Sequence, residues 1–170
     1  MEVPARHEAL TSTAAKIIKF FQSPNKIKKK NMNRVLFSSK KEEWETPQEL
    51  FNSLNEEFNF NLDPCALPEN AKCHKYFTPE EDGLIQNWRG HNVFCNPPYG
   101  RKISQWVEKA YKESKRKNTL VVMLLPVRTD TKYFHEFIYN KAKEIRFLRG
   151  RLRFGNCRNS APFPSMIVIF

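Results

Sequence analysis

Glycine is scarce in this sequence, five in 170 residues, and none falls in a G-x-G-x-x-G pattern, so a dinucleotide fingerprint is missing. No apolar run approaches the roughly 20 residues that a membrane span needs. Ile17, Ile18, Phe20 and Phe21 are interrupted by Lys19 and followed by more lysines, which is not a secretory pattern. The four cysteines, Cys65, Cys73, Cys95 and Cys157, lack the tight C-x₂₋₄-C pairs of a structural metal site, even with His74 and His91 counted in. Reduced thiols, no metal and a soluble, cytoplasmic protein are the expectations.

Positive charge is plentiful and unevenly placed. The chain carries 29 Lys/Arg against 18 Asp/Glu, a net charge of +11. Residues 1–41 hold ten of the positives and only Glu2 and Glu8. The remaining 19 positives and 16 negatives leave the rest nearly balanced. A basic arm on a balanced domain fits a polyanionic partner. Residues 1–31 read as a basic extension, with a short amphipathic helix over 14–22, and 32–170 as one domain.

The most informative stretch is Val93-Phe94-Cys95-Asn96-Pro97-Pro98-Tyr99-Gly100, an apolar strand running into an amide, two prolines and an aromatic ring. The Asn96 side chain offers an acceptor. The prolines fix φ and give up their N–H groups, leaving carbonyls in a rigid bend. Tyr99 offers a π-face. Together these residue types suit gripping a flat, amine-bearing group: the Asn96 amide and the Pro97 carbonyl hold the amine's hydrogens, and Tyr99 stacks on the ring.

The remaining elements follow from pattern. Thr46-Pro47-Gln48-Glu49 reads as a helix start, with Thr46 as N-cap, Pro47 in the first position and Glu49 closing a capping box. Leu50, Phe51, Leu54 and Phe58 give that helix an apolar face. Residues 58–63 alternate and read as a strand ending at Asp63, whereas 74–92 read as loop. A strand over 92–95 and a helix over 102–115 follow. Residues 119–127 form a continuous apolar run, expected of a strand buried on both faces. Tyr133, Phe134, Phe137 and Ile138 read as another helix face, and strands are expected over 144–148 and 164–170. The order is that of an α/β protein with a mostly parallel sheet, and acids at strand ends are placed to meet a polar ligand.

With these pieces placed, the chain resembles the phage-type, Dam-like DNA N6-adenine methyltransferases. The resemblance runs in order from about Met32 to Phe170. It is carried by Phe37-Ser38-Ser39, Trp44-Glu45-Thr46-Pro47, Leu62-Asp63-Pro64-Cys65-Ala66, Asn70-Ala71-Lys72-Cys73, Asp82-Gly83-Leu84 with Trp88, and Asn96 to Gly100. Leu125-Pro126 with Arg128-Thr129-Asp130-Thr131, Gly150-Arg151 with Phe154, and Ala161 to Ser165 complete it.

The resemblance implies the class I S-adenosylmethionine-dependent methyltransferase fold, Rossmann-like, with seven mostly parallel strands and one antiparallel strand in the last pair. It implies S-adenosylmethionine bound by Trp44, Thr46, Pro47, Asp63 and Asp82. The helix start at Thr46-Pro47 would receive the donor's carboxylate, and Asp82 would reach its adenosyl part. Asn96, Pro97, Pro98 and Tyr99 match the catalytic corner. The substrate implied is adenine in double-stranded DNA, flipped into the site and methylated directly. Leu62 to Ala66 depart from the wider group in lacking the usual glycines, and no sizeable target-recognition domain is visible. DNA contacts are therefore expected from Arg101, Lys102, Arg128, Arg149, Arg151 and Arg153. The same corner also suits a glutamine amide or an RNA amine, and the charge alone suits a non-enzymatic DNA-binding protein.

Overall fold

The computed structural model describes residues 44–155 and 157–170. The expected 1–31 extension, its helix over 14–22 and the Phe37-Ser38-Ser39 stretch lie outside them. Helix α1 spans Gln48–Phe58 and leads to β1 (Leu62–Asp63) and β2 (Lys75–Tyr76). Strand β3 (Asn92–Cys95), helix α2 (Ile103–Ser114) and strand β4 (Leu120–Pro126) follow. A π-helical turn, Phe134–Ile138, precedes β5 (Glu144–Phe147) and β6 (Ser165–Ile169).

Six strands among the described residues form one sheet in the order β2-β1-β3-β4-β6-β5. The pairs β1–β2, β1–β3 and β3–β4 are parallel. Strand β6 runs antiparallel to both β4 and β5, so β5 points the same way as β4. The architecture is mixed α/β, with one reversed strand in the closing pair as anticipated. Val121, Val122, Met123, Leu124 and Leu125 are wholly buried, which accounts for the unbroken apolar run.

Several local expectations are corrected. Thr46 is not the N-cap and makes no capping box with Glu49: Pro47 holds that position, with no side-chain cap, and its carbonyl accepts from the Phe51 N–H at 3.1 Å. The Thr46 hydroxyl has a partner far along the chain instead. Helix α1 runs through Phe58 and stops at Asn59, whose φ of 51° places it in the left-handed region that Asn tolerates. Only Leu62 and Asp63 of the alternating 58–63 segment therefore pair as strand. Phe60 packs on Phe51 and Phe94, with ring centroids at 5.8 and 5.4 Å. Strand β2 falls in the segment expected to be loop, because an exposed and a half-buried residue carry no periodicity. The helix face at Tyr133 to Ile138 is a single π turn, closed by the Tyr139 N–H on the Phe134 carbonyl at 2.7 Å.

Trp88 and Trp106 are core aromatics. The Trp88 indole N–H donates to the Gly83 carbonyl at 3.0 Å, and its backbone N–H donates to Glu113 at 3.2 Å. Glu113, nearly fully buried on α2, also takes a 2.7 Å bond from Lys109. A buried carboxylate is tolerated because it is paired, and it ties the loop before β3 to α2.

Candidate active site

In a sheet whose strands mostly share one direction, the loops after those strands gather at one edge. Asp63 ends β1, Asn96 follows β3, Arg128 follows β4, and Arg149, Arg151 and Arg153 follow β5. A cavity of about 260 Å³ opens there. Its lining includes Trp44, Thr46, Asp63, Asp82, Asn96, Pro97, Pro98 and Lys102. Pro47, Tyr99, Arg101, Arg128, Arg149, Arg151 and Arg153 are not part of that lining. Three carboxylates, Glu45, Asp63 and Asp82, face two lysines, Lys72 and Lys102. The cavity is thus acidic within a strongly basic chain.

Asn96 is held by its amide nitrogen, which donates to the Trp44 carbonyl at 2.5 Å and to the Thr46 hydroxyl at 2.9 Å. A carbonyl can only accept, so Trp44 settles which end of the amide faces it. The Asn96 Oδ1 is left buried and without a partner among the described residues. The amide's donors are engaged and its acceptor is not.

Tyr99 is placed elsewhere than expected. Its ring is buried, edge-on to Phe163 at 5.6 Å and to Phe154 at 6.2 Å. The Tyr99 hydroxyl donates to the Leu124 carbonyl at 3.2 Å. The turn after Pro98 aims this side chain inward, where it braces the corner against β4.

Asp63 accepts the backbone N–H groups of Lys72 at 3.2 Å and Cys65 at 3.3 Å. Burial nevertheless pushes its carboxyl up to about 6, outweighing those bonds and the nearby Lys72 charge. Asp82 sits at φ 48° and accepts the Leu84 N–H at 3.1 Å. Lys72, which pattern reading did not single out, reaches Gln48 at 3.1 Å and Glu45 at 3.6 Å. Its only signal was its place inside the Asn70 to Cys73 stretch.

Cys65, Cys73 and Cys95 are free thiols. Cys65 Sγ lies 3.7 Å from Cys95 Sγ, and burial pushes the Cys65 thiol well up. A buried, protonated thiol is a poor nucleophile. Arg101, Lys102, Arg128, Arg149, Arg151 and Arg153 are all exposed. Among the described residues none of these six joins an ion pair, whereas Arg146 is tied to Glu57 and Glu144. No helix among the described residues is long and apolar enough to cross a membrane.

The molecule is a mixed α/β protein with a cavity at the carboxyl edge of its sheet, lined in part by the Asn-Pro-Pro corner. Comparison with known proteins makes the class specific. A sequence model of the family described as DNA N-6-adenine-methyltransferase (Dam) matches residues 34–170, and the chain belongs to that family. It is 36% identical over 140 residues to the DNA N-6-adenine-methyltransferase of Haemophilus phage HP1, covering 78% of this chain and 80% of the relative. It is 34% identical over 105 residues to the DNA N-6-adenine-methyltransferase of Escherichia phage T1, covering 60% of this chain and 43% of that longer relative.

Proposed function

We propose that this chain transfers a methyl group from S-adenosylmethionine to the N6 amine of adenine in double-stranded DNA. The proposal places a class I methyltransferase fold over 32–170, with 1–31 as a basic extension. The observation that carries it is Asn96, which lines a cavity together with Asp63 and whose amide nitrogen is engaged while its oxygen has no hydrogen-bond partner among the described residues. The reversed strand β6 between β4 and β5 fits the proposed fold, with six strands among the described residues where seven were expected.

The cavity suits the donor by charge. S-adenosylmethionine carries one net positive charge, and the lining has three carboxylates to two lysines. Asp63 is assigned to the donor's ammonium and Asp82 to the hydroxyls of its ribose. Trp44 and Thr46 form the wall just before α1, and Pro47 caps that helix behind them. When bound, the donor supplies an electrophilic methyl group on sulfur.

The protein's part is positioning. The N6 lone pair of adenine is delocalised into the ring, so the amine is a weak nucleophile. Asn96 Oδ1 accepts one N6 hydrogen and the Pro97 carbonyl the other, which turns the nitrogen towards tetrahedral geometry and frees the lone pair. Pro98 keeps the bend rigid, and Tyr99 anchors it. Holding two reactants in line supplies much of the rate gain. A base in a duplex is reached by flipping it out of the stack. The exposed Arg101, Lys102, Arg128, Arg149, Arg151 and Arg153, on loops at the same edge, are assigned to phosphates.

Incubation with labelled S-adenosylmethionine and duplex DNA, RNA or protein, followed by nucleoside and amino-acid analysis, tests the reading. Label in N6-methyladenine from duplex DNA is expected; label confined to RNA or to glutamine would move the activity to another substrate class.

Two further outcomes follow. Replacing Thr46 by valine keeps the shape and removes the acceptor that holds the Asn96 amide. Transfer is expected to slow roughly tenfold in kcat, with serine restoring it; equal rates for the two variants would contradict the assignment. For Asp63, the folded carboxyl keeps its proton to higher pH than in the unfolded chain. Its contribution to stability is thus complete below about 3.8 and lost as pH rises through about 6. The carboxylate forms over the same rise, so donor affinity, read by calorimetry from pH 5 to 8, is expected to tighten through about pH 6. Asp63→Asn should flatten both profiles, and an unchanged profile would remove Asp63 from the donor site.

A further inference from the structure

Two residues of the cavity lining each carry a buried polar atom with no hydrogen-bond partner among the described residues: Asn96 through Oδ1 and Trp44 through its indole Nε1. One only accepts and the other only donates. Their residues are joined, since the Trp44 carbonyl holds the Asn96 amide nitrogen at 2.5 Å. The indole is also held, edge-on to Phe163 at 5.2 Å and to Phe154 at 5.3 Å. Buried polar atoms normally find partners, and an orphan calls for an explanation. The function proposed above uses the orphan acceptor and leaves the orphan donor idle.

We propose that Trp44 Nε1 donates to the ring nitrogen beside the target amine, so that Trp44 and Asn96 together read a donor–acceptor edge. Adenine presents that edge, with its 6-amine flanked by the acceptors N1 and N7. Guanine in the same pose sets its O6 acceptor against Asn96 Oδ1, and thymine does the same with O4. Cytosine offers an equivalent pair in N4 and N3, so Asn96 Oδ1 turns away a base with an oxygen in the amine's place, the indole N–H turns away one with a ring N–H beside it, and discrimination against cytosine is left to size. This inference rests on Asn96 holding the target amine.

The test uses the whole protein and a duplex first shown to accept methyl groups at adenine. The target adenine is replaced by 1-deazaadenine or 7-deazaadenine, each keeping the amine and losing one ring acceptor. One analogue is expected to lose roughly ten- to hundredfold in kcat/KM, which also tells which edge is read. Trp44→Phe, which keeps the aromatic contacts, should lose a similar factor on adenine and nothing more on that analogue. Both analogues methylated at the adenine rate would overturn the inference while leaving the N6 reading intact. So would full additivity of variant and analogue. Absence of any transfer to adenine would remove the N6 reading and this inference together. The comparison of analogues on the unaltered protein stands even if the Trp44 variant is unstable.

Discussion

Replacing Asn96 by alanine is expected to lower methyl transfer by about a thousandfold, while donor binding and the fold persist. The magnitude follows from the usual loss when one preorganised hydrogen-bonding group at a reacting centre is removed. Asn96 suits that role because its nitrogen is committed to Trp44 and Thr46. The partnerless oxygen has no hydrogen bond of its own to break when a base arrives. Alanine leaves the Pro97 carbonyl alone to hold the amine, and the lone pair is no longer turned. Single-turnover rates with donor titration in parallel check this. A variant within tenfold of the unaltered rate would contradict the assignment.

Gly83→Ala is expected to cost about 3 kcal/mol of stability and most of the donor affinity, through backbone and not chemistry. A Cβ on Gly83 would fall 1.8 Å from the Pro64 carbonyl oxygen and 3.1 Å from the Trp106 ring. The oxygen belongs to main chain next to Asp63 and has no rotamer to yield. The Gly83 carbonyl is also the acceptor for the Trp88 indole, so a shift there disturbs a fully buried side chain. Both Gly83 and Pro64 line the cavity, and parting them separates Asp63 from Asp82. Denaturant unfolding with donor titration checks the two effects together. Alanine tolerated at unchanged stability would show that the two loops part without cost.

Strands β3, β4 and β6 and helix α2 were legible because burial demands apolar residues along them. β4, covered on both faces, is apolar throughout, and α2 repeats Ile103, Val107 and Ala110 along one side. Strand β2 was not, since its two residues pair through backbone that any side chain can supply. Thr46 shows why a local signal misleads. Thr-Pro-Gln-Glu satisfies every rule for a cap, yet an amide 50 residues away competes for the hydroxyl. Tyr99 was misjudged for a similar reason. Its ring was free to face a ligand until Phe154 and Phe163, far along the chain, closed over it. Asn96, Pro97, Pro98, Asp63 and Asp82 stand out in the sequence and meet in one cavity, whereas the orphan donor of Trp44 exists only in the folded molecule.

The most direct measurement is a crystal structure of the protein with duplex DNA and an unreactive analogue of S-adenosylmethionine. The account predicts an adenine outside the stack, its N6 within hydrogen-bond distance of Asn96 Oδ1 and the Pro97 carbonyl, and the analogue beside Asp63. A base bound away from Asn96, with that oxygen satisfied by the protein itself, would contradict it.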